Sequence, residues 1–230
     1  MNHPFDFFSE IHCINLDTRP DRWEESKSEF DKIGIGTKVT RFPGVVFPKS
    51  CGIWGGRAGC ASSIRQIVKR AKEKNLENVL ILEDDVTFVE GTNEALEASL
   101  KDLVGIDWCM FYLGASVRAE FSKTPLVKVT DNLLRMVGGQ CTHAFACHNS
   151  IYDEVLDGIG DIDSIIPWLY ANEAIDKWIA KNIQTSHGVY CTNPMIATQR
   201  PSFSDIDGKQ ASWGERIIEA FNSHLPKEEK

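Results

Sequence analysis

None of the seven cysteines forms a Cys-x-x-Cys pair, and seven is an odd number. A disulfide framework and a zinc ribbon are both excluded by that arithmetic. Most of the cysteines sit near apolar runs, where a free thiol behaves as a small hydrophobe. A reducing, cytoplasmic setting is therefore expected, either free or peripheral at the inner membrane face. Positive charge is also in short supply: 25 Lys and Arg stand against 33 Asp and Glu, a formal charge of -8. Such a chain is ill suited to non-specific nucleic-acid binding, which needs basic residues to neutralise phosphates. No run approaches the roughly 20 apolar residues that span a bilayer. MNHPFDFFSE lacks the basic and apolar regions of a signal peptide, so a soluble protein is expected. Internal repeats, low-complexity tracts and a Gly-x-Ser-x-Gly elbow are missing too, and the last absence speaks against a serine hydrolase.

What is present is an alternation of apolar runs and amphipathic segments. Ile11 to Leu16 reads as a buried strand, followed by a helix from Pro20 whose apolar face is Trp23, Phe30 and Ile33 and which ends at Gly34 or Gly36. Lys38 to Phe42 reads as a second strand. KSCGIWGGRAGCASS reads as a Gly-rich loop feeding a helix from Ser62 to Lys74, capped by Ser62 or Ser63. Asn78 to Leu82 is a continuous apolar run, as in a strand buried on both faces. A helix over 93–103 and a strand over 108–113 follow, then a polar excursion over 114–132. Strands over 133–137 and 142–147, helices over 151–156 and 168–182, and a short strand over 188–191 complete the reading. Strands alternating with helices imply an α/β fold with a mostly parallel central sheet flanked by helices. One domain over 1–225 with a frayed tail over 226–230 is expected.

The concentrated chemistry is in NVLILEDDVTF, where three carboxylates, Glu83, Asp84 and Asp85, end the most apolar strand. Ligands of open α/β sheets bind outside the carboxyl ends of the strands. Strand alternation points Glu83 and Asp85 to one side and Asp84 to the other, unless the register slips by one. Paired carboxylates suit a hard divalent ion, Mg²⁺ or Mn²⁺, which would offset their repulsion and hold substrate phosphate oxygens. The bland alternative, acidic residues capping the next turn, has comparable weight for an isolated triplet.

Further along, INLDTRPDRW places Asn15, Arg19 and Arg22 at the mouth of the sheet, although two arginines on a first helical turn are more often surface charge and Arg22 would equally suit a surface ion pair with a carboxylate at i+3. Together with GRAGCASS, VLILEDDV, GGQCTHAFACHNS and PMIATQRPSFSDI, in that order, it resembles the family 25 glycosyltransferases. The resemblance implies a GT-A type nucleotide-sugar fold. It implies transfer of a hexose, galactose or glucose, from a UDP-sugar to an acceptor hydroxyl with inversion. The acceptor would be a glycan, a lipid-linked glycan or a protein hydroxyl. Glu83, Asp85 and Asp205 would hold Mn²⁺ or Mg²⁺, while Asn15, Arg19, Arg22 and Asp84 would contact the nucleotide. Asp176, which shares a helical face with Glu173 in YANEAIDKWIAK, would be the general base, although such a pair is more often a solvated face. Two positions depart from the family pattern: Arg57 stands where Glu is usual, and Ile64 where His is usual. A catalytically weak or inactive nucleotide-sugar binding module is the alternative they raise. His143 and His12 read as packing, His187 as a remote candidate for the metal, and Trp54 as core or as an acceptor-side platform.

Overall fold

The computed structural model describes residues 3–204 and 209–227. In chain order the elements are β1 (Glu10–Asn15), α1 (Pro20–Lys32), β2 (Val39–Pro43), α2 (Ile53–Glu73), β3 (Asn78–Glu83), β4 (Val86–Phe88) and α3 (Thr92–Leu103). Then come β5 (Met110–Tyr112), β6 (Ser116–Val117), β7 (Leu126–Lys128), β8 (Leu133–Met136), β9 (Gly139–Gln140) and β10 (Ala144–His148). Three helices follow, α4 (Tyr152–Gly158), α5 (Ile165–Asn172) and α6 (Ile175–Asn182). The chain closes with β11 (Val189–Thr192), β12 (Ala197–Gln199), β13 (Ser202–Ser204), β14 (Lys209–Ala211) and α7 (Gly214–Asn222). No helix among the described residues is long and apolar enough to cross a membrane.

The main sheet runs β2-β1-β3-β10-β5-β11-β8-β7. Strands β1, β2 and β3 pair in parallel, as do β5 and β11, while β10 and β8 are antiparallel to both of their neighbours. All strands but β10 and β8 therefore point one way, as the alternation of strands and helices implies. The edge strand β7 comes from the stretch expected to be a polar excursion. Its Leu126 is buried against the core while its other two residues are exposed, too weak an alternation to read from sequence.

Period-two alternation divides the core between the two faces of the sheet. From β3, Val79 and Ile81 face α2, α4, α5 and α6, against Ile64, Ile67, Val155, Leu169 and Trp178. Leu80 and Leu82 face α1 and α3, against Phe30, Leu96 and Leu100. Because β3 is covered on both sides, its alternation is invisible in the sequence and only the continuous apolar run remains.

Two helix expectations are corrected. The Gly-rich stretch is not a loop: α2 starts at Ile53, nine residues before Ser62. Gly52, at φ 55°, precedes its first turn. Gly59 lets the β2–α2 connection lie against the helix, for a Cβ there would meet the Val45 carbonyl oxygen at 2.4 Å. Ser63 is not a cap but a latch. It donates to Gly59 O (2.7 Å) and accepts from Val45 N (2.9 Å). The expected helix over 168–182 is two helices, broken at Glu173, whose φ of 64° puts it in the left-handed region. Glu173 and Asp176 therefore share no helical face.

Candidate functional site

Glu83 is the last residue of β3, and Asp84 and Asp85 form the turn into β4. The three carboxylates share their partners in pairs, Arg22 between Asp84 and Asp85 and Gln199 between Glu83 and Asp85. Asp84 goes inward and is 8 % exposed. Its Oδ2 accepts from Asn15 Nδ2 (2.7 Å), and its Oδ1 meets Arg22 NH2 at 2.5 Å. The same Arg22 nitrogen lies 3.0 Å from Asp85 Oδ2. Arg22 is thus no surface residue. It is buried from α1 beneath the turn and bridges two carboxylates.

Glu83 and Asp85 open to the other side. Gln199 Nε2 is 3.4 Å from Glu83 Oε2 and 3.2 Å from Asp85 Oδ1, so both carboxylates converge on one small donor. The other Glu83 oxygen accepts from Thr142 Oγ1 (2.6 Å), with the Cys60 thiol 3.9 Å away. Burial, and then the Asp85 charge, push the half-buried Glu83 carboxyl up to about 8. Burial also raises Asp84, against the opposing pull of Arg22 and Asn15. The Cys60 thiol is pushed up by burial and by the Glu83 charge, which leaves it a neutral wall of the site.

The far strand supplies what local reading missed. Antiparallel pairing of β12 with β4 sets Gln199 opposite Val86 and carries Arg200 over the turn. Arg200 N donates to Asp85 O (2.8 Å), and its guanidinium meets the Asp84 carbonyl, Arg22 O (3.2 Å) and Glu25 Oε2 (2.8 Å). Ser26 Oγ adds a bond to Asp84 O (2.8 Å). The only sequence signal for Gln199 and Arg200 was their place in ATQRP, more than a hundred residues from the cluster.

The remaining candidates divide. Asn15 is 1 % exposed, and its side chain serves Asp84, Arg19 O (2.9 Å) and Arg41 Nε (2.7 Å); it holds the acid turn from below. Arg19 lies at the rim with its Nε on Asp21 (3.0 Å). Asp176, in the first turn of α6, accepts from Cys141 N (3.0 Å) and Lys177 N (2.8 Å). Cys141 adjoins Thr142, so Asp176 is tied to the Glu83 side of the site. Burial and then the Asp176 charge push the Cys141 thiol up. Asp205 lies outside the described residues. His143 is fully buried on Ala197 O (3.3 Å), and burial lowers it, as befits a packing histidine. His187 pairs with Glu154 (2.9 Å) and meets none of the three acids. Trp54 is half-buried against the core and edge-on to Tyr170.

Among the described residues no three Asp, Glu, His or Cys side chains form a ready metal cage. The pair that converges is nevertheless hard and all-oxygen, the donor chemistry of Mg²⁺ or Mn²⁺ ions that keep several positions for water or phosphate. Glu83 and Asp85 fit such a half-open site, and Asp84, turned onto Arg22, does not.

Residues 51–142, the stretch from the start of α2 through the acid turn to Thr142, match glycosyltransferase family 25 (LPS biosynthesis protein). Procollagen galactosyltransferase 1-B of Xenopus laevis is 30% identical over 46% of this chain. The match spans 21% of that relative, so the chain covers about a fifth of its length. Among solved structures, a UDP-glucose pyrophosphorylase complexed with UDP-glucose aligns over 94% of this chain and 80% of its own, with a TM-score of 0.46 and 12% identity. A glycosyltransferase involved in glycosylation of the major capsid of PBCV-1 aligns over 76% and 71%, with a TM-score of 0.40 and 13% identity. Scores of that size establish nothing further about this chain. The segment that carries α2, the acid turn and Thr142 is therefore similar to glycosyltransferase family 25.

Proposed function

We propose that this chain transfers a hexose from a UDP-sugar to an acceptor hydroxyl, with inversion, on a GT-A type site assisted by Mn²⁺ or Mg²⁺. The observation that carries the reading is the convergence of Glu83 and Asp85 on one point at the mouth of β3, within the stretch matched to the family. A divalent ion held there would supply positive charge to the leaving diphosphate. Arg22 and Asn15 do not reach outward in this scheme. They fix Asp84, and with it the turn, so that Asp85 keeps its direction. Gln199 bridges the two open carboxylates and yields the notch to a cation. Arg19, at the rim, is placed to meet the nucleotide. Asp176 is the base for the acceptor hydroxyl, held by the α6 backbone and Cys141 N. Positioned proton acceptors contribute about 10²–10⁴-fold to rate.

Thermal unfolding with UDP, with and without Mn²⁺, tests the donor side. The wild type is expected to be stabilised by both together, and Asp85→Asn to lose that response while keeping its metal-free transition. An equal response in Asp85→Asn would remove the metal assignment. For the base, Asp176→Asn is expected to lower kcat for transfer roughly a hundredfold or more with the donor KM nearly unchanged. Wild-type turnover in that variant would exclude Asp176. Metal-dependent UDP binding without any sugar release would instead favour the non-catalytic module.

A further inference from the structure

An aromatic and cationic cluster stands one to two helical turns from the acid turn, and the donor chemistry does not use it. Trp54 and Tyr170 meet edge to face, with ring centroids 5.0 Å apart at 81°. Tyr170 is 65 % exposed, an unusual state for a large ring held in one orientation. The Arg57 guanidinium carbon lies 5.3 Å from the centre of the Trp54 ring. Its NH1 donates to the carbonyl of Glu173 (3.0 Å), the left-handed residue that separates α5 from α6. The Glu173 carboxylate goes instead to Lys177 (2.6 Å), so no carboxylate pairs with Arg57 among the described residues. Backbone in a sparsely populated region, fixed by a side chain from another helix, is a costly way to hold a corner unless the corner is used.

The same helix links this cluster to the site. Cys60, whose thiol touches Glu83, is one turn beyond Arg57 and two beyond Trp54. At 1.5 Å per residue, Trp54 lies about 9 Å along the axis from Cys60, farther than a single sugar ring spans. An exposed aromatic ring offers a flat apolar surface to the C–H face of a sugar, with its hydroxyl left for water or ligand. A guanidinium lacking a carboxylate partner binds carboxylate or phosphate through charge-assisted hydrogen bonds.

We propose that Trp54, Arg57 and Tyr170 form the acceptor subsite, and that it takes a glycan of at least two sugars, one ring stacked on Tyr170 and an anionic substituent on Arg57. The proposal rests on the glycosyltransferase reading, and its test is run without nucleotide so that the two can fail separately. Calorimetric titration of the nucleotide-free protein would use lactose, digalacturonic acid and lactose 1-phosphate. The anionic sugars are expected to bind roughly tenfold more tightly than lactose. Which of them binds better identifies carboxylate or phosphate as the natural group. Tyr170→Ala is expected to weaken all three by roughly tenfold. Arg57→Gln is expected to remove the anionic preference, and Arg57→Lys to restore part of it, which a merely structural role for the guanidinium would not do. Val104→Ala, exposed at the end of α3 on the opposite side of the sheet from α2, is the control and is expected to bind like the wild type. Equal binding of all three sugars, no measurable binding of any at millimolar concentration, or wild-type binding by Tyr170→Ala would each overturn the proposal. Tyr170-dependent sugar binding in a protein that ignores UDP and Mn²⁺ would sustain the subsite and sink the donor reading.

Discussion

Glu83 carries the electrostatic cost of the site. Its carboxyl lies between Thr142, Cys60 and Gln199 and close to the Asp85 charge, and it is held up to about 8 from an ordinary 4.5. An acid whose folded-state pKa is raised binds its proton more tightly folded than unfolded. Its contribution therefore destabilises the native state progressively as pH rises from about 4.5 to about 8, and then levels off. Metal-free protein is expected to lose melting temperature across that window. A divalent ion at the carboxylates is expected to flatten the profile and to release a proton on binding below pH 8. Glu83→Gln, which cannot ionise, should flatten it without metal. A metal-free melting temperature that rises between pH 5 and 8 in the wild type but not in Glu83→Gln would contradict this account.

At the scale of elements, much of the framework was legible because local chemistry and tertiary role agree. The helix from Pro20 to Lys32 begins with Pro in its first turn and ends at Gly34 with φ 77°, both readable signals. The apolar run of β3 identified the central strand and the acids at its mouth. What misled was glycine. Gly55 and Gly59 lower intrinsic helix propensity, yet α2 runs through both, because the helix gains more from close approach to the preceding chain than it loses in backbone entropy. The break at Glu173 had no local signal at all, since glutamate is a good helix former and the turn is fixed by Arg57 and the α5–α6 packing. The latch makes a prediction contrary to propensity. Alanine for glycine in a helix interior usually stabilises by about 1 kcal/mol. Gly59→Ala is expected to destabilise by about 1–3 kcal/mol instead, because its Cβ would press on the Val45 carbonyl. Urea denaturation decides the sign, and a gain in stability would mean that the β2–α2 connection moves aside freely.

The whole molecule sets a problem that no single element shows. A chain of formal charge -8 is proposed to bind a diphosphate at a turn already carrying three carboxylates. Its nearest cations are committed inward: Arg22 bridges Asp84 and Asp85, and Arg200 holds backbone carbonyls and Glu25. This long-range arrangement explains why the sequence showed the acids but not their surroundings, for Gln199 ends β12, which pairs with β4, and Arg200 follows it. It also fixes how affinity should respond to salt. Without a divalent ion the protein field repels UDP, and screening shortens the reach of that repulsion to about 10 Å at 0.1 M salt. UDP binding without metal is therefore expected to be weak and to strengthen as NaCl is raised from a few millimolar to 0.1 M. With Mn²⁺ present the local charge at the notch is reversed, and added salt is expected to weaken binding. Fluorescence or calorimetric titrations across the two series measure the slopes. Opposite signs would mean that the cation carries the nucleotide into the site, whereas a salt-weakened, metal-independent affinity would mean that arginines hold the phosphates directly and that the acid turn serves another purpose.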